Sequence, residues 1–183
     1  MNSRDPSLEV LTCTPQRKTS STPLLFVHGA FTAAWCWEDF YLPFFAAAGY
    51  EAHALSLSGH GKSRGREHLD SLSIHDYVND VREVAESMPT PPVLIGHSMG
   101  GFVVQKYLEQ HIVPAAVLMC SVPPQGLMSA AMDMMFSRPS LLSDLNNTMT
   151  GRNADLESIR AAMFAQPISL NELKRFYRYA QQV

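Results

Sequence analysis

From Leu24 onward, short apolar runs alternate with longer stretches whose apolar residues recur at helical spacing, the pattern of a parallel sheet covered by helices. Four runs read as strands: Leu24 to His28, Tyr50 to Leu57, Val93 to His97 and Ala115 to Ser121. Between the first two, Trp37, Phe40, Tyr41, Phe44, Phe45 and Ala48 fall on one face of a predicted helix that Gly49 stops. A second helix is expected to start at Ser73, which makes a capping-box-like pair with Asp76, and to continue through Ile74, Val78, Val81, Ala85 and Met88 until Pro89 ends it. A third runs from about Met99 to His111, so that strand, turn and helix meet around Ser98.

After Ser121 the strand-like runs cease, and Pro123, Pro124 and Gly126 open a stretch of purely helical spacing. Met128, Met132, Met135 and Phe136 share one face, Leu156, Ile159, Met163 and Phe164 a second, and Leu173, Phe176, Tyr177 and Ala180 a third. Asn146, Asn147, Gly151 and Asn153 mark a loop among them. The fold class is therefore α/β, a mostly parallel sheet with flanking helices over residues 1–122, followed by a helical region over residues 123–183.

Composition narrows the function without naming it. A chain of 183 residues with 46% hydrophobic and 17% charged positions can bury a real core. A formal net charge of −3 provides no basic field for nucleic acid or an anionic membrane, and no run reaches the length of a membrane span. The first 23 residues are polar and broken by Pro6, Pro15 and Pro23, unlike a secretory signal. Cys13, Cys36 and Cys120 are odd in number and irregularly spaced, which suggests neither disulfides nor a zinc site and fits a reducing cytoplasm. No cofactor or metal is expected.

The chemistry is concentrated at Gly96-His97-Ser98-Met99-Gly100. Three fixed residue types at about 7% abundance produce such a pattern by chance in roughly one chain in twenty, so the motif alone is weak. Its setting strengthens it: Val93-Leu94-Ile95 precedes directly and a helical pattern follows, as a serine held on a strained strand-to-helix turn requires. The flanking glycines are expected because a Cβ two residues before or after the serine would collide with its surroundings. Upstream, Leu25 to Phe31 leaves a strand into the turn His28-Gly29-Ala30, where backbone N–H groups can face a developing oxyanion. His28 itself reads as a packed turn histidine.

Together, Val27-His28-Gly29-Ala30, Ser58-Gly59-His60-Gly61-Lys62-Ser63 and Gly96 to Gly101 resemble the α/β-hydrolase superfamily, specifically over residues 20 to 122. The resemblance implies Ser98 as nucleophile and the amides of Ala30 and Met99 as oxyanion hole, with His28, Gly29, Gly96, His97 and Gly100 supporting the motifs. It implies a cap-like role for residues 123–183 and acyl transfer on a carboxylic ester or another small apolar substrate. Serine at the elbow argues against dehalogenases and epoxide hydrolases, which resemble this pattern but carry aspartate there.

Two departures matter. Many members of the superfamily carry an aspartate where this chain has Ser56, so the following loop is expected to be anchored differently. The resemblance also implies a catalytic acid and a histidine after the cap, and Val183 comes before any such segment; the chain thus reads as an incomplete piece of a longer parent. None of its seven histidines is suited to serve Ser98: strand alternation turns His97 away, His111 lies at the far end of the helix, and His60, His68 and His75 read as solvated surface residues. Asp133, Asp144 and Asp155 read as helix caps or surface charges. The alternatives to an ester hydrolase are an inactive binding protein on the same scaffold and a cofactor-free lyase or peroxidase-like enzyme.

The strand at Ala115 to Ser121 is apolar and uncharged, and in this reading one of its edges is bare, a template for association. The chain is expected to be poorly soluble or to oligomerise, and sedimentation at high concentration checks this: a monodisperse monomer would contradict it.

Overall fold

A computed structural model describes residues 7–126, 160, 164 and 166–180. The chain groups into two compact units, Met1–Pro124 (with Val183) and Gln125–Gln182. The first holds a five-stranded sheet in the order β1-β3-β2-β4-β5, where β1 is Val10–Cys13, β2 Leu24–Val27, β3 Ala52–Leu55, β4 Val93–His97 and β5 Ala116–Met119. All neighbouring pairs are parallel except β1 with β3. This is the mostly parallel, helix-flanked α/β arrangement that the alternation of runs predicts.

The pleat sorts the central strands onto two cores. Leu25, Val27, Leu55 and Leu94 point to one face, where they meet Tyr77, Val81 and Val84 of helix α2 (Ile74–Ser87) and Val103, Val104 and Tyr107 of helix α3 (Met99–Leu108). Leu24, Phe26, Ala52, Ala54 and Ile95 point to the other, against Trp37 and Leu42. Because both faces are covered, β2 is apolar at every position and fully buried. Helix α2 begins as expected: the Ser73 hydroxyl accepts from the Asp76 N–H, and the Asp76 carboxylate accepts from the Ser73 N–H at 2.8 Å.

Two elements depart from the sequence reading. Residues 34–48 form no single helix but a 3-10 turn, Ala34–Trp37, and a separate helix α1, Tyr41–Ala47. The break resets the helical phase. Trp37 stays in the core beside Phe26, at 5.0 Å between ring centres, while α1 buries Leu42 and Ala46 and leaves Phe40 and Phe44 75% and 68% exposed. The supposed aromatic face is thus largely on the outside. The second departure is β1, which lies within the polar N-terminal stretch: four residues pair antiparallel with β3, Val10 opposite Leu55 and Leu11 opposite Ala54.

In the second unit, helix α4 spans Leu170–Ala180. Ser169 and Glu172 cap it reciprocally, Glu172 N–H donating to Ser169 Oγ at 3.3 Å and Ser169 N–H to Glu172 Oε2 at 3.1 Å. Leu173 is buried, Phe176 and Tyr177 are half-buried, and Phe164 stacks edge-on against Phe176 at 5.2 Å. The proposed faces at Met128 to Phe136 and Leu156 to Met163, the loop at Asn146 to Asn153, and Asp133, Asp144 and Asp155 lie outside the described residues. No helix among the described residues is long and apolar enough to cross a membrane.

A buried acid on α2 stitches the first unit together. Asp80 accepts from both the N–H and the hydroxyl of Ser58, at 2.7 and 2.8 Å, and lies 3.7 Å from the Arg64 guanidinium. Burial pushes its carboxyl up, and the Ser58 bonds and Arg64 oppose that shift. Replacing it by Ala strands two buried donors. Asp80→Ala is expected to lower the urea-unfolding free energy by about 3 kcal/mol and Asp80→Asn by less. Equal and negligible losses would show that Asp80 does not hold the loop.

Candidate active site

Ser98 lies between β4 and α3 with φ 52° and ψ −116°, a conformation that costs a non-glycine residue about 1–3 kcal/mol. Hydrogen bonds on both sides hold it there. Its N–H donates to the Met119 carbonyl at 3.0 Å, and its own carbonyl accepts from Phe102 at 3.2 Å and Val122 at 3.1 Å. The chain therefore bends sharply at residue 98 while remaining tied to β5 and to the first turn of α3.

The bend depends on bare backbone. A Cβ on Gly96 would lie 2.6 Å from the Gly100 carbonyl oxygen and 2.7 Å from Gly101 Cα. One on Gly100 would run into the Val27 and His28 carbonyls at the end of β2, and one on Gly101 would come within 2.6 Å of Ser121 Cβ. The glycine pattern thus records how closely the start of α3 approaches β2 and the segment after β5.

The turn after β2 comes alongside. A Cβ on Gly29 would sit 3.1 Å from Ser98 Cβ and 3.0 Å from His97 Nδ1, so the His28-Gly29-Ala30 turn and the Ser98 bend are in contact range. Thr32 Oγ1 donates to the Gly29 carbonyl at 2.9 Å and Phe31 takes a positive φ of 61°, closing the turn tightly. Among the described residues, neither the Ala30 N–H nor the Met99 N–H donates to an acceptor. Met99 is the first residue of α3, where an N–H has no partner within the helix.

His28 is a buried clip. Its Nδ1–H donates to the Gly29 carbonyl at 2.8 Å and its Nε2 accepts from the Leu57 N–H at 3.0 Å, which fixes a neutral tautomer. Complete burial, with smaller repulsions from His60 and His97, lowers its pKa to about 3, although the bond to Gly29 opposes the shift. His60 stands 5.0 Å away, ring to ring, with its Nδ1–H on the Ser58 carbonyl at 2.9 Å. It is buried, not the solvated surface residue expected from sequence; His68 and His75 are exposed. The reason lies in the glycine loop, which folds inward against Tyr77, 5.8 Å from the His60 ring.

His97 lies beside Gly29 and meets Trp37 edge-on at 6.4 Å, and burial lowers its pKa. Among the described residues no side chain hydrogen-bonds the Ser98 hydroxyl. The structure brings Ser98, Met99, Gly96, Gly100, His97, Gly29 and His28 together, with Ala30 in the adjoining turn. Sequence reasoning missed Asp80, whose acid in the middle of the apolar face of α2 was the available signal, and Glu9, which bonds to Ser56 at 2.7 Å.

The sequence profile described as "Alpha/beta hydrolase family" matches residues 24–182. The chain belongs to the alpha/beta hydrolase family. Among curated proteins, it is 29% identical over 157 residues to protein phosphatase methylesterase 1 of Bos taurus, covering 78% of this chain and 41% of that protein. It is 32% identical over 90 residues to a pyrethroid hydrolase of Sphingobium wenxiniae, covering 49% of this chain and 31% of that one. The chain thus spans about two fifths of the length of the methylesterase it matches. An esterase from Exiguobacterium antarcticum shares the fold with a TM-score of 0.68 at 18% identity, over 96% of this chain and 64% of that one.

The alpha/beta hydrolase scaffold carries its turn histidine uncharged, and the sign of the resulting pH dependence is fixed. Below pH 6.5 the unfolded chain takes up a proton at residue 28 that the folded chain refuses until about pH 3. Stability from this site is fully present above pH 6.5 and is lost as pH falls through that window. The slope is at most about 1.4 kcal/mol per pH unit, and the lowered pKa values of His53, His60 and His97 add to it with the same sign. Urea titrations from pH 7 to pH 5 are expected to show falling stability for the native chain and a shallower fall for His28→Gln. Parallel slopes would mean that His28 titrates normally.

Proposed function

We propose that the chain carries the nucleophile half of a carboxylic ester hydrolase that works by acyl transfer through Ser98. The observation that carries this reading is the positive-φ bend at Ser98, set within contact distance of the Gly29 turn. Ser98 Oγ attacks the ester carbonyl carbon, and the amides of Ala30 and Met99, which bond to no described acceptor, receive the resulting oxyanion. The tetrahedral intermediate collapses with loss of the alcohol, and water then attacks the acyl-serine to release the acid.

The proton on Ser98 needs an acceptor. All seven histidines lie among the described residues, and none bonds to the hydroxyl. In this reading Ser98 depends on a base and an acid that the described side chains do not bring to its hydroxyl. The names of the relatives, a methylesterase, a pyrethroid hydrolase and an esterase, support a carboxylic ester as the substrate class. That no described side chain bonds the Ser98 hydroxyl also favours a second reading, a scaffold that binds an apolar ligand without turning it over.

A fluorophosphonate probe separates the two. Ser98 is expected to be labelled slowly by the chain alone and faster when imidazole is added as a base, with the signal lost in Ser98→Ala, while turnover of a p-nitrophenyl ester by the 183 residues stays about a million-fold below that of a serine hydrolase with its triad. A wild-type chain that binds esters yet does not label even with added imidazole would favour the scaffold reading instead.

A further inference from the structure

The loop that follows β3 is anchored by a carboxylate from another strand. One step past the last paired residues of β1 and β3, Glu9 faces Ser56, and the Ser56 N–H donates to the Glu9 carbonyl at 2.9 Å. Cross-strand partners share a face, and this pair projects on the side where Leu11 and Ala54 pack. There the Ser56 hydroxyl, fully buried, donates to Glu9 Oε2 at 2.7 Å and accepts from the Ala34 N–H at 3.0 Å. Ala34 opens the 3-10 turn, where an amide has no partner within its own helix.

The same carboxylate serves the glycine loop. Glu9 Oε2 accepts from the Lys62 N–H at 3.1 Å, and Lys62 Nζ lies 4.0 Å from Oε1. Gly61, at φ +56°, has room for nothing larger: a Cβ there would collide with the Glu9 carboxylate and sit 2.6 Å from Ser56 Oγ. Ser63 closes the ring, its hydroxyl accepting from the Glu9 N–H at 2.8 Å and donating to the Ser56 carbonyl at 2.5 Å.

We propose that Glu9 and Ser56 are positioning residues that act as one relay: the Glu9 carboxylate orients the Ser56 hydroxyl, which fixes the Ala34 amide and with it the turn bearing the Ala30 amide. A hydroxyl can face its lone pairs in several directions, and a carboxylate that takes its proton leaves one lone pair aimed at Ala34. Without Glu9 the hydroxyl proton turns toward another acceptor and the Ala34 bond weakens. The relay's effect on chemistry rests on the assignment of Ala30 as an oxyanion donor; its effect on the turn does not.

The decisive test is a sign reversal. Ser56→Asp in the native chain places two carboxylates side by side and is expected to lower Tm and speed exchange of the Ala34 amide. In a Glu9→Ala background the same Ser56→Asp restores an acceptor and is expected to raise Tm and slow that exchange. Glu9→Ala alone should accelerate exchange at Ala34 and Lys62 by about ten-fold or more, with Phe26 and Ile95 unchanged; Glu9→Gln, which keeps an acceptor, serves as a milder variant. Ser56→Asp acting in the same direction in both backgrounds, or unchanged Ala34 exchange in Glu9→Ala and Glu9→Gln, would overturn the relay. In phosphonate labelling, Glu9→Ala should reduce the maximal rate at Ser98 but not the probe concentration giving half that rate, with recovery on adding Ser56→Asp. A wild-type chain that fails to label even with added imidazole removes the enzymatic reading alone and leaves the exchange cycle to judge the relay.

Discussion

The architecture turns on a backbone-to-backbone approach: the first turn of α3 rests directly on the carbonyls that end β2. Gly100 permits it, since any side chain there would enter the Val27 and His28 carbonyls. A hydrophobic contact alone could not set this geometry, because apolar packing is non-directional and tolerates shifts that a strained residue does not. With α3 seated, the chain between β4 and α3 has too little length for an ordinary turn, and Ser98 takes up the positive φ. The Gly29 turn then lies against it as a consequence of the parallel pairing of β2 with β4, Val27 opposite Gly96.

Around that junction, buried polar groups do what apolar ones cannot. His28 joins the β2 turn to Leu57, Asp80 holds Ser58, and Ser56 joins Ala34 to Glu9. Each bond ties a loop at the carboxyl end of one strand to a different element. Such bonds add little net stability when satisfied, but leaving one partner unpaired in the interior costs the full desolvation of that group. The loops at this end of the sheet are therefore confined to one arrangement.

Much of this was legible in the sequence, because the central features are local. Val93 to His97 announces a buried strand, Ser73 and Asp76 announce a helix start, and the spacing of Gly96, Ser98 and Gly100 announces the bend. What escaped depends on contacts distant in sequence. Strand β1 holds four residues within a proline-broken polar stretch, and only pairing with β3 gives it strand character. Nothing in the local sequence singles out Glu9; that pairing places it opposite Ser56, 47 residues away. The face of α1 was misjudged because aromatic residues suggest a core by their size, whereas a phase break after Trp37 decided which of them reach it.

Strain at Ser98 and weak cover on β5 meet in the same few bonds. The Ser98 N–H and carbonyl are held from outside the helix by Met119, the last residue of β5, and by Val122 just beyond it. Gln105 reinforces that segment, its side-chain amide donating to Ser121 Oγ at 2.6 Å and to the Val122 carbonyl at 2.9 Å. Yet β5 pairs on one side only among the described residues, and Val117 and Leu118 are 48% and 45% exposed. A residue held in a strained backbone conformation is thus restrained by the strand with the least burial behind it. Strand pairing is cooperative along its length, so whatever occupies the outer edge of β5 also stiffens the restraint on Ser98, and the geometry of the bend is coupled to the state of an edge on the far side of that strand.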